Sequence, residues 1–245
     1  YTADNTTIRV VSSESLSRSK FKSNLQSWKI NLFQENFDKL EQDDGVLIRS
    51  IGKKYGIQYS HIYAPRYLRQ IVIPSNAEGR KLYGTNDIPF NRTELDSRNH
   101  SPIIGWAYDG NPIYGPYGYI SKSGGVVTRM KSGYIDESSL KANRPPNFAS
   151  GSFVEDFTFY RVEDESTLDE NNGRYCITPE FPNGTYAYFA TVSDLVDGSG
   201  VFKNYKRPVF PYLIGENYYS IPCKFNTERF ANQDDFDLNQ SDYKR

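Results

Sequence analysis

Short alternating runs, rather than long periodic ones, set the pattern of apolar and polar positions along this chain. Val46–Ile51, Gly56–Tyr63 and Tyr67–Ile73 are aliphatic and aromatic runs bounded by Gly, Pro or Lys-Lys, the length and content of strands. Ile103–Tyr108, Phe153–Val162, Thr185–Val192 and Val209–Ile214 continue the series, and Ile8–Ser12 adds a short strand to a polar opening stretch. One segment departs from the pattern. Trp28, Ile30 and Leu32 alternate as in a strand; Phe33, Phe37 and Leu40 then fall at spacings of four and three, closing on Asp43-Asp44-Gly45. That spacing predicts a short amphipathic helix with a stop signal. Residues 75–100 are polar and rich in turn formers, so they read as a surface excursion that leaves His100 in an exposed loop. His61, beside Tyr59 and Ile62, reads as a hydrogen-bonded strand residue.

The expected fold class is therefore all-β: sandwich-like antiparallel sheets, long ordered loops and one short helix near the N-terminus. Residues 1–44 form an entry arm with that helix, 45–225 the β domain, and 226–245 a polar, acidic tail or linker. Between Asp109 and Tyr119, closely spaced Gly and Pro forbid a helix and predict consecutive tight turns with aromatic side chains projecting from them. Asn183-Gly184, between apolar runs, is a hairpin signal.

Composition changes this picture in three ways. Apolar residues are only 37% of the chain, but 20 Tyr and 15 Phe supply large rings, so few residues suffice for a core. Charge is balanced at 29 basic against 30 acidic residues, which excludes the one-sided basic footprint of a nucleic-acid binder. Apolar runs stay far below the roughly 18–20 residues of a membrane-spanning helix, so no membrane insertion is expected. The chain opens on Tyr1 without a signal-peptide pattern, the expectation for a piece of a longer or processed protein.

Candidate chemistry is sparse. Cys176 and Cys223 are too few for a disulfide framework and read as two buried thiols or one bridge. With His61 and His100 they are the whole Cys/His inventory, so no zinc site and no cofactor is expected. Asp235, Asp237 and Asn239 have the opening spacing of a calcium loop, but Gln240 stands where Gly is needed. The densest cluster is Gly105–Tyr119. As a recognition surface, Trp106, Tyr108, Tyr114, Tyr117 and Tyr119 would stack on sugar rings while Asp109 and Asn111 bind hydroxyls. As a structural device, the same rings would pin an irregular loop to the core. Asp169, Glu170 and Glu180 are the carboxylates to consider for acid–base chemistry, although Asp-Glu-Asn-Asn-Gly is also ordinary turn chemistry.

Three blocks then carry a resemblance. Gly105–Gly115 reads Gly-Trp-Ala-Tyr-Asp-Gly-Asn-Pro-Ile-Tyr-Gly, Leu168–Arg174 reads Leu-Asp-Glu-Asn-Asn-Gly-Arg, and Pro179–Tyr186 reads Pro-Glu-Phe-Pro-Asn-Gly-Thr-Tyr. In order and spacing they resemble the YHYH domain family, whose namesake motif is Tyr-His-Tyr-His. Here Ala187 and Phe189 stand where that motif has its histidines, so the resemblance implies a retained scaffold without an imidazole site. Asp44-Gly45, Tyr59–Arg66, Arg144–Pro146 and Asn232–Asp235 also resemble the version of the domain embedded in long virion proteins of tailed phages infecting marine bacteria, cyanophages especially. That implies a non-catalytic structural or adhesive module of a tail, fibre or baseplate, located in the virion or otherwise extracellular. Its expected partners are other virion proteins or copies of itself. A carbohydrate-binding module, taking a host-surface polysaccharide on the Gly105–Tyr119 loops, is the alternative, and a carboxylate-dependent hydrolase the third reading.

Overall fold

The computed structural model describes residues 98–196 and 206–222, with shorter pieces at 21–23, 26–31 and 45–49, at 57–61, and at Pro65, Leu68 and Arg69. Fourteen strands run through these residues: β1 (Phe21–Ser23), β2 (Gln26–Trp28), β3 (Gly45–Arg49), β4 (Ile57–His61), β5 (Ile103–Trp106), β6 (Pro112–Tyr114), β7 (Tyr117–Ser121), β8 (Gly124–Arg129), β9 (Tyr134–Asp136), β10 (Phe157–Phe159), β11 (Gly173–Cys176), β12 (Thr185–Phe189), β13 (Val192–Val196) and β14 (Lys206–Pro208). Single 3-10 turns at Ser138–Leu140 and Val154–Asp156 interrupt them. The fold is all-β.

A four-stranded sheet with order β11-β12-β6-β5 organises the domain. Two antiparallel hairpins, β5–β6 and β11–β12, meet along a parallel seam where Tyr188 pairs with Ile113 and Phe189 with Tyr114. The expected sandwich-like antiparallel sheets are corrected at this parallel seam, and among the described residues the remaining strands form five two-stranded ribbons rather than a second broad sheet. β12 lies in the middle. Successive side chains of a strand alternate faces, so Ala187 and Phe189 pack on one side with Tyr114, Met130, Leu168 and Cys176. Tyr186 and Tyr188 pack on the other with Ala107 and Ile214. A strand covered on both faces needs no polar alternation, which explains the unbroken Thr-Tyr-Ala-Tyr-Phe sequence.

Several expectations change for identifiable reasons. Asp109–Tyr119 does begin with a tight turn, with the Gly110 amide donating to the Ala107 carbonyl at 2.9 Å, but Pro112–Tyr114 forms the inner strand β6 rather than another turn. Pro112 is tolerated as the first residue of that strand. The run Val209–Ile214 is a turn, not a strand, with the strand displaced to Lys206–Pro208; Pro208 and Pro211 remove ladder donors there. Leu68 and Arg69 belong to a helical turn, not a strand; the Arg69 amide donates to Pro65 four residues earlier, and Pro is suited to a helix start. His100 is buried, 1% exposed, not a surface-loop residue. The strands expected around 46–51 and 56–63 are β3 and β4. The helix expected over Phe33–Leu40, the strand Ile8–Ser12, the tail 226–245 with Asp235, Asp237 and Asn239, and Cys223 lie outside the described residues. Cys176 is a buried free thiol.

Residues 28–31, from the segment read as an entry arm, are part of the packed body. Trp28 sets its ring edge against Phe153 at 5.6 Å, Ile30 bridges Phe153, and Asn31 donates to the Gly151 carbonyl while accepting from the Tyr212 hydroxyl.

Candidate functional site

The three sequence blocks converge on β12 through two tyrosine–aspartate pairs. Asp109 ends the turn after β5, and Asp169 opens the turn before β11. The Tyr188 hydroxyl donates to Asp109 Oδ2 at 2.7 Å and accepts from the Tyr219 amide at 2.8 Å. Asp109 also accepts from the Asn111 amide at 3.2 Å, Asn111 Nδ2 at 2.8 Å and the Ser220 amide at 3.1 Å. On the same face, the Tyr186 hydroxyl reaches both oxygens of Asp169 at 2.9 Å, and the Asn171 and Gly173 amides donate to Oδ1 at 2.9 and 3.1 Å. Donors from within the fold therefore engage both carboxylates, four at Asp109 and three at Asp169. Burial, reinforced by the Asp169 charge, holds the Tyr186 hydroxyl far above its ordinary pKa, and burial with Asp109 does the same for Tyr188. Desolvation also raises Asp169, outweighing the donors around it. Neither pair offers a free base or a phenolate near neutrality.

Gly173 makes one of these pairs possible. It lies across from Tyr188 in the β11–β12 ladder, and a Cβ there would stand 2.5 Å from the Tyr186 hydroxyl oxygen. The Gly of the second block is thus the space into which the Tyr186 hydroxyl reaches toward Asp169.

The opposite face of β12 is closed differently. Tyr114 stacks on Phe189 with centroids 5.5 Å apart, and its hydroxyl lies 2.8 Å from both Thr178 Oγ1 and Glu180 Oε2. Arg174 spends its guanidinium on the carbonyls of Tyr119, Ile120 and Glu165 and lies over the Phe189 ring. His100 sits in a cage of Tyr114, Tyr119 and Phe189, with centroids at 5.0, 5.0 and 5.9 Å. Its Nδ1 is 2.8 Å from the Ser101 carbonyl, which can only accept, so Nδ1 carries the proton and Nε2 is left buried without a hydrogen-bond partner. Burial, helped by the Arg174 charge and opposed by the Ser101 bond, lowers the His100 pKa to about 4.

The structure separates the sequence-predicted site residues into two groups. Trp106 is 60% exposed with its edge toward Phe181. Tyr108 is half-buried against Tyr218, Asp109 and Asn111 bond each other, and Tyr119 is half-buried beside His100. Tyr114 and Tyr117 are fully buried, which corrects their assignment as sugar-stacking residues: a ring with no exposed face has none to offer. For those two the loop-pinning description holds. Asp169 and Glu180 stand on opposite faces of the sheet, bonded to Tyr186 and Tyr114 respectively, so they do not form a facing carboxylate pair. Among the described residues no group of three or more His, Cys, Asp or Glu is placed to hold a metal ion, and no helix is long and apolar enough to cross a membrane.

A family model described as YHYH protein matches residues 57–196, more than half of the chain and inclusive of all three blocks. The chain belongs to the YHYH family. No curated protein and no solved structure gives a match. In this YHYH domain the matched region ends at Val196, but the residues that complete the Tyr188–Asp109 pair come later. Tyr219 and Ser220 donate to it, and Tyr219 also stacks on Tyr186 with centroids 3.7 Å apart and planes within 5°. Sequence reasoning missed Tyr219, Tyr175 and the His100 cage. Tyr218-Tyr219 after Gly215 was the available signal, since paired tyrosines beside a turn commonly serve packing as well as display.

Proposed function

We propose that this YHYH domain is a non-catalytic structural and adhesive module of a larger virion protein, of the tail, fibre or baseplate of a tailed phage. The observation that carries the reading is the internal commitment of Asp109 and Asp169, the aspartates of the first two signature blocks. Each accepts several hydrogen bonds from neighbouring amides and one tyrosine hydroxyl, and so locks loops onto β12. A carboxylate so engaged serves architecture, because catalysis needs an acceptor poised toward an incoming substrate proton. The histidine positions of the namesake motif support the same reading. Ala187 and Phe189 fill them with a methyl and a phenyl group at 0% exposure, inside the apolar cluster of Tyr114, Met130 and Cys176. The setting in a virion rests on the resemblance of the chain to domains of long phage proteins.

The test is association. Sedimentation velocity of the 245-residue chain across a hundredfold concentration range, together with pull-down from purified virions of a phage encoding it, should reveal self-assembly or capture by tail components. A chain that stays monomeric and captures no virion component would overturn the packing role.

A further inference from the structure

Beyond the two aspartate hubs, three neighbouring concavities among the described residues share lining residues and form a furrow. The largest of the three, about 800 Å³, counts Tyr175, Tyr219 and Phe159 among its walls. Phe159, Glu170 and Asn171 also line the next compartment, of about 340 Å³. That one in turn shares Tyr134, Lys141, Phe157 and Glu216 with a third, of about 310 Å³. Each has the size of an ordinary small-molecule site, roughly 300–1,000 Å³. Three sharing walls in series suit a chain-like ligand better than a compact one.

The aromatic wall is built for display. Tyr219 is 53% exposed although one face of its ring lies flat on the buried Tyr186, so the exposed face is the outer one. Tyr175 pairs directly across from Tyr186 in the β11–β12 ladder, which puts it on the same face of the sheet. It is 58% exposed and rests on Gly184, where a Cβ would come within 2.8 Å of its ring. Two tyrosine faces are thus supported from beneath by one buried ring and one glycine. Large exposed rings grouped in one concavity mark an interaction site more often than scattered ones do.

The charges of the furrow decide the ligand class. Across the three compartments five basic side chains, among them Lys122, Arg161 and Lys141, stand with seven carboxylates, among them Glu163, Glu170 and Glu216, so both signs are present with a small acidic excess that disfavours an anionic polymer. Lys141 already bonds Thr158 Oγ1, and Glu165 accepts from the Lys122 amide. A surface of tyrosine faces flanked by donors and acceptors of both signs fits a polymer that is recognised through ring faces and hydroxyls rather than through charge. We propose that this furrow binds an uncharged polysaccharide strand, with Tyr219 and Tyr175 stacking on its sugar rings. The inference rests on the adhesive reading above and supplies the ligand class and the site for it.

Affinity electrophoresis of the full chain through gels containing a β-glucan, a mannan, agarose or, as the anionic comparison, alginate tests the inference. Retardation by at least one of the three uncharged polymers is expected. Tyr175→Ala and Tyr219→Ala should each weaken it about tenfold, Tyr219→Phe should preserve it, and Trp106→Ala, an exposed ring outside the furrow, should leave it unchanged. Near-UV circular dichroism of each variant separates loss of binding from loss of fold. Retardation by alginate alone, or by none of the four, overturns the inference. So does retardation that Trp106→Ala abolishes while Tyr175→Ala and Tyr219→Ala leave it intact. Self-association or virion capture that persists without retardation would end the polysaccharide inference while leaving the module reading in place.

Discussion

Acidification below neutrality should draw down the stability that the buried, neutral His100 lends this domain. The ring is 1% exposed, enclosed by Tyr114, Tyr119 and Phe189, and bound through Nδ1–H to the Ser101 carbonyl. Its pKa is lowered to about 4 from an ordinary 6.5 by burial first and the Arg174 charge second. Between those values the unfolded chain takes up a proton at His100 and the native state does not. Unfolding therefore binds a proton, and stability falls as pH drops through that window. At 1.36 kcal/mol per pH unit, the loss from His100 reaches about 2 kcal/mol by pH 5 and about 3 kcal/mol by pH 4. That is a large share of the roughly 5–15 kcal/mol of a typical domain. Asp169 and Glu155 work in the opposite direction: burial raises both, so their contribution favours the native state as pH falls. Urea denaturation at pH 7.5, 6.5, 5.5 and 5.0, for the wild-type chain and for His100→Leu, isolates the histidine because every other group is shared. The wild type should lose about 2 kcal/mol more than the variant over this range, with unchanged m-values. Equal pH slopes in the two proteins would refute the buried neutral imidazole.

Two further outcomes follow from packing. A Cβ at Gly215 would overlap the Glu170 carbonyl oxygen and stand 2.8 Å from the Asn171 Cα, a collision of backbone with backbone. Gly215→Ala should therefore cost about 3 kcal/mol or more, seen as a lowered thermal midpoint and poor soluble yield; a wild-type midpoint would contradict this placement. Tyr114→Ala and Tyr117→Ala each empty a fully buried aromatic site and should cost about 3–5 kcal/mol, whereas Trp106→Ala at a 60%-exposed position should change stability by under about 1 kcal/mol. Calorimetry of the three variants checks the ordering, and a destabilisation at Trp106 equal to that at Tyr114 would contradict it.

What the sequence made legible follows the range of the forces involved. β3, β4, β5 and β12 stand out because alternation and β-branched or aromatic content act within a few residues. The all-β class follows from them. The parallel seam between β6 and β12 was not legible, since it joins Tyr114 to Phe189 across a long stretch of chain and no local periodicity encodes a partner. The candidate site shows the same division. Asp109, Asn111 and Tyr108 were visible as a cluster because they are neighbours in sequence. Their anchoring by Tyr188 and Ser220 was not, nor was the burial of Tyr114, Tyr117 and His100, because burial depends on which distant ring closes over a side chain. Tyr carries both a large apolar ring and a polar tip, so its composition signal is equally good for core and surface.

The parallel seam has a consequence for how the chain comes together. Each of its two hairpins is local, but the edge along which they join belongs to β6 on one side and β12 on the other. Until residue 189 has emerged from the ribosome, the inner edge of β6 has no mate, and an unmated strand edge is adhesive toward other chains. The exposed stretch at Asn147–Ser150 divides the two hairpins. Cutting there would yield two fragments, each the complement of the other, that can rejoin only by re-forming the β6–β12 seam and the β9–β10 ladder together.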